Sequence, residues 1–280
     1  MNNYLLPKGE ILKWINSHHW IKISSAKATI GSNRKQIFSA LDFWKTKLIS
    51  KEYNEEQLYL WFYKEYPEHI VELQDFSILK YPITNYQYIQ FIKLSNNKSS
   101  LPSSMINKEP MNNPVWSITM KQCNQYSYVL QKLIRNYFGQ NIQIRLPTEE
   151  EWEYCARGKT NNIYPYANDF YIKQGNTIES KIGMTTSVFK YEDFCSTFGV
   201  CDLAGNVEEW TSSNYKAYPG GVIIKDDLYK ENKQYNILKG GSYLLGGDLT
   251  RCARRHGAHK EKNYRAIGFR LVMQYQETVE

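Results

Sequence analysis

Apolar residues recur at helical spacing in several separate segments of the chain. Residues 1–20 are predicted to be a helical extension. Its apolar side chains are spaced for one helix face, and they are Leu5, Ile11, Leu12, Trp14 and Ile15. Residues 33–61 carry a second face made of Ile37, Leu41, Trp44 and Leu48. Residues 85–94 and 119–136 are predicted as further helices. Residues 96–113 are predicted as a long loop, because Ser, Asn and Pro are frequent there.

The most clearly bounded helix is predicted within residues 145–158, RLPTEEEWEYCARG. Thr148 is a suitable N-cap, and Glu151 three residues later can complete a capping box. An apolar stripe follows, and Gly158 is a natural stop signal. This pattern predicts a short amphipathic helix with one buried face.

Composition is typical of a globular protein. The 280 residues are 42% hydrophobic and 15% aromatic, which is enough for a sizeable core. No run of 18 apolar residues occurs, and the N-terminus lacks the pattern of a signal peptide. We therefore expect no membrane partner and a cytoplasmic location.

Cysteine usage predicts reduced thiols. The five cysteines are an odd number, are dispersed and form no CxxC pair; they are Cys123, Cys155, Cys195, Cys201 and Cys252. This spacing argues against a disulfide framework and against a structural zinc site.

The formal charge of +7 is concentrated in residues 239–270, where eight basic residues face two acidic ones. Such an excess predicts an anionic small molecule or an acidic peptide as ligand, and a solvated basic face is the alternative. The candidate ligand-binding residues are Arg254, Arg255, Lys260 and Arg265. No nucleic-acid-binding motif is present, so we expect no such partner.

Taken in order, the motifs RLPTEEEWEY, GVCDLAGNVEEWT, LKGGSY, RCARR and GFRLV resemble the sulfatase-modifying-factor family, whose founding member is the formylglycine-generating enzyme. The resemblance implies an α+β domain, irregular and loop-rich, related to C-type lectins and spanning residues 21–275. Residues 1–20 would be an extension and residues 33–61 a helical insertion. Surface padding is our first interpretation of the insertion; covering a pocket or docking a partner are the alternatives.

The resemblance also implies a structural calcium site. Its ligands would be the carboxylates of Asp202 and Glu209 with the carbonyls of Gly205 and Val207, which are the hard oxygen donors that calcium prefers. In the alternative interpretation, Asp202 and Glu209 only cap a turn.

The family's copper chemistry is not expected here. The formylglycine-generating enzyme holds Cu(I) with two thiolates five residues apart after its GGS motif. In this chain Leu245 stands at the first position and no cysteine at the second, while Cys252 matches a different family cysteine. Glu208 also replaces a pocket tryptophan of the family.

Replacement chemistry is conceivable, because Glu208, His256 and His259 are the residue types of a two-His-one-carboxylate iron site. The two histidines can equally be solvated rings. Ser242 in the GGS motif is a fourth catalytic candidate.

Three functions remain open. The first is a non-oxidising or regulatory member that binds an anionic small molecule or peptide, with a protein partner possible. The alternative is a metal-dependent, oxygen-using oxidoreductase with a rebuilt site. The last is an active sulfatase cysteine oxidase.

Overall fold

The computed structural model describes residues 6–48, 54–95, 101–260, 262 and 264–276. The α-helices in these ranges are α1 Lys8–Asn16, α2 Arg34–Trp44, α3 Glu55–Tyr63, α4 Asn85–Ser95, α5 Ser103–Ile106, α6 Met120–Phe138, α7 Glu149–Arg157 and α8 Asp227–Glu231. The strands are β1 Trp20–Ile23, β2 Ala26–Ile30, β3 His69–Leu73, β4 Phe76–Leu79, β5 Ile142–Arg145, β6 Glu208–Asn214, β7 Asn236–Lys239, β8 His256–Ala258, β9 Ile267–Gly268 and β10 Val272–Tyr275. Short 3-10 helices lie in the loops at Ile172–Gln174, Ile178–Ser180, Glu192–Phe194 and Gly247–Thr250.

The strands form small sheets separated by long irregular segments. One antiparallel sheet has the order β1-β4-β10-β5, and β2 pairs with β3 in a second. The third has the order β8-β7-β6-β9, in which β6 and β9 run parallel. The predicted loop-rich α+β class is confirmed. The domain limits at residues 1–20 and 21–275 stay predictions.

The ends of α7 are fixed locally, as the sequence predicted. Thr148 Oγ1 accepts the amide of Glu151 at 3.2 Å, and Glu151 Oε2 accepts the amide of Thr148 at 2.8 Å. These bonds satisfy two amides that the helix leaves without partners at its start. Gly158 ends the helix at φ 65°, a conformation that favours glycine.

The N-terminal helix is packed into the main core. Its buried side chains Ile11, Trp14 and Ile15 join a cluster with residues of α4 and α6. Trp14 Nε1 donates to the carbonyl of Gln87 on α4 at 2.8 Å. Leu5, which we placed on the same face, lies outside the described residues.

The insertion is partly buried. Our first interpretation, surface padding, is therefore wrong for the apolar side of α2 and α3 that packs against the main domain. Helices α2 and α3 contact each other, and their apolar side chains form a cluster with Tyr164 of the main domain. Trp44 Nε1 donates to the hydroxyl of Tyr164 at 3.1 Å. Residues 49–53, between the two helices, lie outside the described residues.

The expectation of reduced thiols is wrong for two cysteines. Cys195 and Cys201 form a disulfide, with their Cα atoms 4.1 Å apart. The intervening chain reverses direction at Gly199, where φ is 83° and the amide of Ser196 donates to the carbonyl of Val200. This turn brings together two cysteines that are not in CxxC spacing. Cys123, Cys155 and Cys252 are free and buried.

Within the described ranges, no helix has both the length and the apolar character needed to cross a membrane. The cytoplasmic location stays a prediction.

Candidate functional site

Most basic side chains of residues 239–270 are neutralised inside the protein. Five of the eight are buried and paired with a carboxylate from another part of the chain or from the same segment. These pairs are Lys239–Glu153, Arg251–Glu65, Arg254–Asp248, Arg255–Glu149 and Arg270–Glu209. Most of the local positive charge is therefore neutralised by buried ion pairs and is not available to a ligand.

The four predicted ligand-binding residues do not converge on one site. Arg255 is fully buried, and its guanidinium donates two hydrogen bonds to Glu149 on α7, at 2.8 and 2.9 Å. Arg265 donates to the hydroxyl of Tyr243, and Lys260 is exposed at a separate surface beside α6. Arg254 is the member of the set that reaches a cavity with other candidate residues. The prediction that Arg255 contacts a ligand is wrong, because its charge is enclosed by its partner.

A cavity of about 230 Å³ lies where the motif residues meet the insertion, and we call it the His256 cavity. Strand β8 contributes His256, the loop after the GGS motif contributes Leu245, and the end of α3 contributes Trp61. The remaining lining residues are Leu48, Lys64, Asp226, Asp227, Leu228, Gly246, Asp248, Leu249 and Arg254. The insertion therefore helps to wall the cavity.

His256 and Glu208 form a pair in the third sheet. His256 Nδ1 lies 2.7 Å from Glu208 Oε1; the carboxylate is buried and the ring is 36% exposed. Strands β6 and β8 flank β7, so the pair spans one intervening strand. The contact joins two of the predicted catalytic candidates.

His259 does not join this pair. It follows His256 by an odd number of positions along an extended segment, which directs the two side chains to opposite faces. His259 Nε2 lies 3.2 Å from Glu231 Oε2, away from Glu208. The predicted three-ligand iron set is therefore not assembled. Ser242 is buried outside the His256 cavity, and its hydroxyl accepts the Leu244 amide at 3.4 Å.

Lys64 is a lining residue that sequence reasoning missed. Its Nζ lies 2.6 Å from Asp226 Oδ2, and both side chains are almost completely buried. Burial lowers the pKa of Lys64 to about 8, although Asp226 acts in the opposite direction. The sequence does contain a signal that Lys64 is buried and paired. Lys64 and Glu65 directly follow the apolar run of α3, and charged residues beside a buried helix end need internal partners.

Among the residues that the structure describes, no free thiol lines the His256 cavity. Leu245, which the family resemblance aligns with the first thiol position, lines the cavity. Cys252 lies in a hydrophobic cluster instead, where burial raises the pKa of its thiol to about 12. Burial also raises the pKa of Cys155 and of Cys123 far above the ordinary thiol range. These three side chains are core residues without thiolate character at neutral pH.

The predicted calcium ligands lie in a turn where their carboxylates already have partners. Glu209 accepts hydrogen bonds from Arg270 at 2.6 and 2.7 Å and from Trp152 Nε1 at 2.9 Å. Asp202 accepts from Asn206 Nδ2 at 2.8 Å, and burial raises its pKa to about 7. A cation at this turn would share Glu209 with a guanidinium.

The backbone of the same turn is tightly packed. Gly205 has φ 84° and donates its amide to the carbonyl of Gly240 at 2.7 Å; a side chain at this position would collide with Asn176. Gly205 and Val207 would contribute their backbone carbonyl oxygens, which add no further negative charge to the turn. No group of three or more His, Cys, Asp or Glu side chains suited to a metal is found in the part of the chain that the structure describes. Calcium binding by these four residues stays a prediction.

Comparison with known proteins places this geometry in context. A family model described as the sulfatase-modifying factor enzyme 1-like domain matches residues 47–275. The serine/threonine-protein kinase Pkn1 of Chlamydia trachomatis serovar L2 is 28% identical over 229 residues, covering 74% of this chain and 34% of the relative. The inactive C-alpha-formylglycine-generating enzyme 2 of Bos taurus is 30% identical over 146 residues, covering 46% of this chain and 43% of the relative.

A solved structure shares the fold. PvdO from Pseudomonas aeruginosa superposes with a TM-score of 0.67 at 18% identity, covering 91% of this chain and 94% of its own. The chain spans less than half the length of the two curated relatives above.

Proposed function

Because this chain belongs to the family of the sulfatase-modifying factor enzyme 1-like domain, we propose that it is a non-oxidising member that binds a small anionic molecule, or the anionic end of a peptide, in the His256 cavity. The observation that carries the proposal is that Leu245 lines the cavity. The family resemblance aligns this position with the first copper thiolate. A leucine cannot ligate Cu(I), which requires soft sulfur donors. A relative whose printed name calls it an inactive formylglycine-generating enzyme is consistent with this proposal.

Recognition of an anionic group is assigned to His256. Its Nδ1 donates to Glu208, so Nε2 is the ring nitrogen left to meet a ligand, and it donates to a ligand oxygen when the ring carries both protons. Lys64 and Arg254 line the same cavity, but their charges are balanced by Asp226 and Asp248. These ion pairs hold the Lys64 and Arg254 side chains in place. A ligand oxygen can accept from the N–H groups of these two side chains that the carboxylates do not use.

The oxidoreductase alternative has less support from the geometry. Only His256 and Glu208 of the predicted iron ligands meet, whereas His259 pairs with Glu231. Two protein ligands are fewer than the three of the facial-triad sites.

The absence of copper chemistry is tested by anaerobic competition for Cu(I) against a chromophoric chelator. We expect the chelator to keep its copper. One tightly held Cu(I) per chain, lost in the Cys252→Ser variant, would overturn the assignment.

Ligand binding is tested by thermal unfolding with inorganic phosphate and a panel of mono-, di- and tricarboxylates. A ligand at ten times its Kd stabilises the native state by about 1.4 kcal/mol, which raises the Tm by about 3–6 °C in a domain of this size. The variant Leu245→Trp should fill the cavity and remove this shift. Leu244→Trp is the matched control, since Leu244 is partly exposed and outside the cavity wall. Equal shifts in both variants, or no shift with any anion, would contradict the proposal.

A further inference from the structure

The solvent side of α6 forms a basic surface without acidic residues. The helix packs one side against the main core, and its sequence MKQCNQYSYVLQKLIRNYF contains no Asp or Glu. The exposed side chains recur at intervals of three and four residues, which places them on one face of the helix. We call this the α6 face, and its members are Lys121, Asn124, Gln125, Tyr128, Lys132 and Arg135.

Two grooves run along the α6 face. One has a volume of about 260 Å³ and lies between α6 and strand β5. The other has a volume of about 510 Å³ and lies at the start of α6, beside Lys260. Tyr128 is 63% exposed and lines both grooves, so the two are continuous past its ring. Neither groove shares a lining residue with the His256 cavity.

The groove beside β5 presents unused hydrogen-bond donors. Gln131 Oε1 accepts the amide of Ile144 at 2.7 Å, which leaves Gln131 Nε2 without a partner among the described residues. Arg135 donates from Nε and Nη2 to the carbonyl of Ile142, at 2.9 and 2.6 Å, and its Nη1 is likewise unused by the described residues. Amide and guanidinium nitrogens cannot accept hydrogen bonds, so both positions require an acceptor oxygen.

The positive charges of the α6 face are unpaired. Lys121, Lys132 and Arg135 form no ion pair with any residue in the part of the chain that the structure describes. Lys132 and Arg135 are neighbours on the helix surface, and like charges at such positions repel each other. In contrast to the buried, neutralised charges of residues 239–270, these charges are available to an anionic partner.

The length of the α6 face fits a short extended peptide. The distance along the helix from Lys121 to Arg135 is about 21 Å, at about 1.5 Å per residue. An extended chain rises about 3.3 Å per residue, so about six or seven residues span this distance. Tyr128 is the one aromatic ring that lines the grooves, whereas single-stranded nucleic acids are bound by stacking on successive rings. An acidic peptide is therefore the polyanion that the α6 face fits better.

We propose that the α6 face docks an acidic segment of a partner protein, bound in extended form along α6. One carboxylate of the segment accepts from Arg135 and Gln131 in the groove beside β5. Another meets Lys121 in the groove at the start of the helix. Carboxylates suit these positions because their hydrogen bonds with charged donors are stronger than those between neutral groups. The proposal does not depend on ligand binding in the His256 cavity.

The test uses a fluorescein-labelled seven-residue peptide of alternating Glu and Thr as the probe and fluorescence anisotropy as the readout. The neutral analogue has Gln in place of every Glu. The wild-type chain should bind the acidic peptide at least tenfold more tightly than the neutral one. Raising the NaCl concentration from about 50 mM to about 300 mM should weaken the acidic peptide severalfold, because the exposed charges are screened.

A double charge reversal tests the location of the site. Lys121→Glu combined with Lys132→Glu should weaken binding of the acidic peptide at least tenfold. The matched control combines Lys173→Glu with Lys216→Glu, which changes the net charge equally at exposed positions that line neither groove. The control should change the affinity by less than twofold. Circular dichroism of each variant establishes that it is folded.

Gln131→Glu tests the groove beside β5 without removing a basic residue. The new side chain keeps an oxygen for the amide of Ile144, but it replaces the Nε2 donors by a negative charge. It should weaken the acidic peptide at least tenfold and leave the neutral analogue unchanged.

Four outcomes would overturn the proposal. They are undetectable binding of the acidic peptide, equal affinity for the neutral analogue, equal weakening in the two double variants, and unchanged binding in Gln131→Glu. A single-stranded DNA octamer that binds more tightly than the peptide, and is lost in Lys121→Glu with Lys132→Glu, would assign the face to nucleic acid instead. Leu245→Trp should bind the peptide as the wild type does; loss of binding there would place the peptide in the His256 cavity and overturn the assignment to α6.

Discussion

Acidification should weaken the docking of the N-terminal helix through His18. The ring is buried, with Nδ1 2.9 Å from the carbonyl of Trp14 and Nε2 2.7 Å from the hydroxyl of Tyr126. The neutral ring satisfies both contacts by donating from Nδ1 and accepting at Nε2. Protonation would place a second donor against the tyrosine and a charge inside the core. Burial accordingly lowers the pKa of His18 from 6.5 to about 4.

The sign of the effect follows from this lowered pKa. Above pH 6.5 the ring is neutral in both the folded and the unfolded chain, so His18 costs no stability. As the pH falls towards 4, the unfolded chain binds a proton that the native state excludes, which favours unfolding. Each pH unit in this window is worth about 1.4 kcal/mol, so the free energy of unfolding should decrease by about 3 kcal/mol by pH 4.

The assay is urea unfolding followed by circular dichroism at half-unit steps between pH 7.5 and 4.5. His18→Gln retains a donor and an acceptor but cannot titrate, and it should lose most of this pH dependence. The matched control is His19→Gln, because His19 is the exposed neighbouring histidine. If the wild type and His18→Gln lose stability in parallel over the whole range, the reasoning about the buried ring is refuted.

Two further outcomes follow from buried groups. Glu149→Gln should lower the free energy of unfolding by about 3–5 kcal/mol, because it leaves Arg255 as an uncompensated charge in the core. Thermal unfolding measures this loss, and Glu150→Gln on the same helix, at a half-exposed position, should cost much less. Alkylation without reductant should leave the native chain largely unmodified and should label three cysteines after denaturation, since Cys195 and Cys201 are paired. Mass spectrometry counts the labels, and five would contradict the disulfide.

The parts of the fold that sequence predicted are those set by short-range chemistry. Thr148, Glu151 and Gly158 determine the two ends of α7 through contacts within a few residues. The same holds for α6, which begins after Thr119 and ends at Gly139 in a left-handed conformation. Capping groups act on amides one turn away, so their effect is visible in the linear sequence.

The candidate site was only partly predictable, because its partners come from distant segments. Glu208 and His256 are 48 positions apart and were placed together through the family resemblance. Lys64 meets Asp226 across 162 positions, and the local pattern that indicates a buried lysine does not identify Asp226 as its partner. His259 is placed beside His256 by the family resemblance, whereas the structure pairs its ring with Glu231.

The charge of residues 239–270 was misleading for a related reason. A count along the chain treats each basic residue as exposed, but a basic residue that lies in a core must be paired to be tolerated. Glu65, which follows α3, receives both terminal nitrogens of Arg251, and the carbonyls of Trp61 and Lys64 accept from Arg254 and Arg255.

These contacts couple the end of the insertion, at Trp61, and the residues directly after it to the segment that carries the family motifs. If the insertion were shortened together with Glu65, Arg251 would remain as a buried charge without a partner, a change that typically costs several kcal/mol. The insertion is therefore better understood as part of the core than as an appendage.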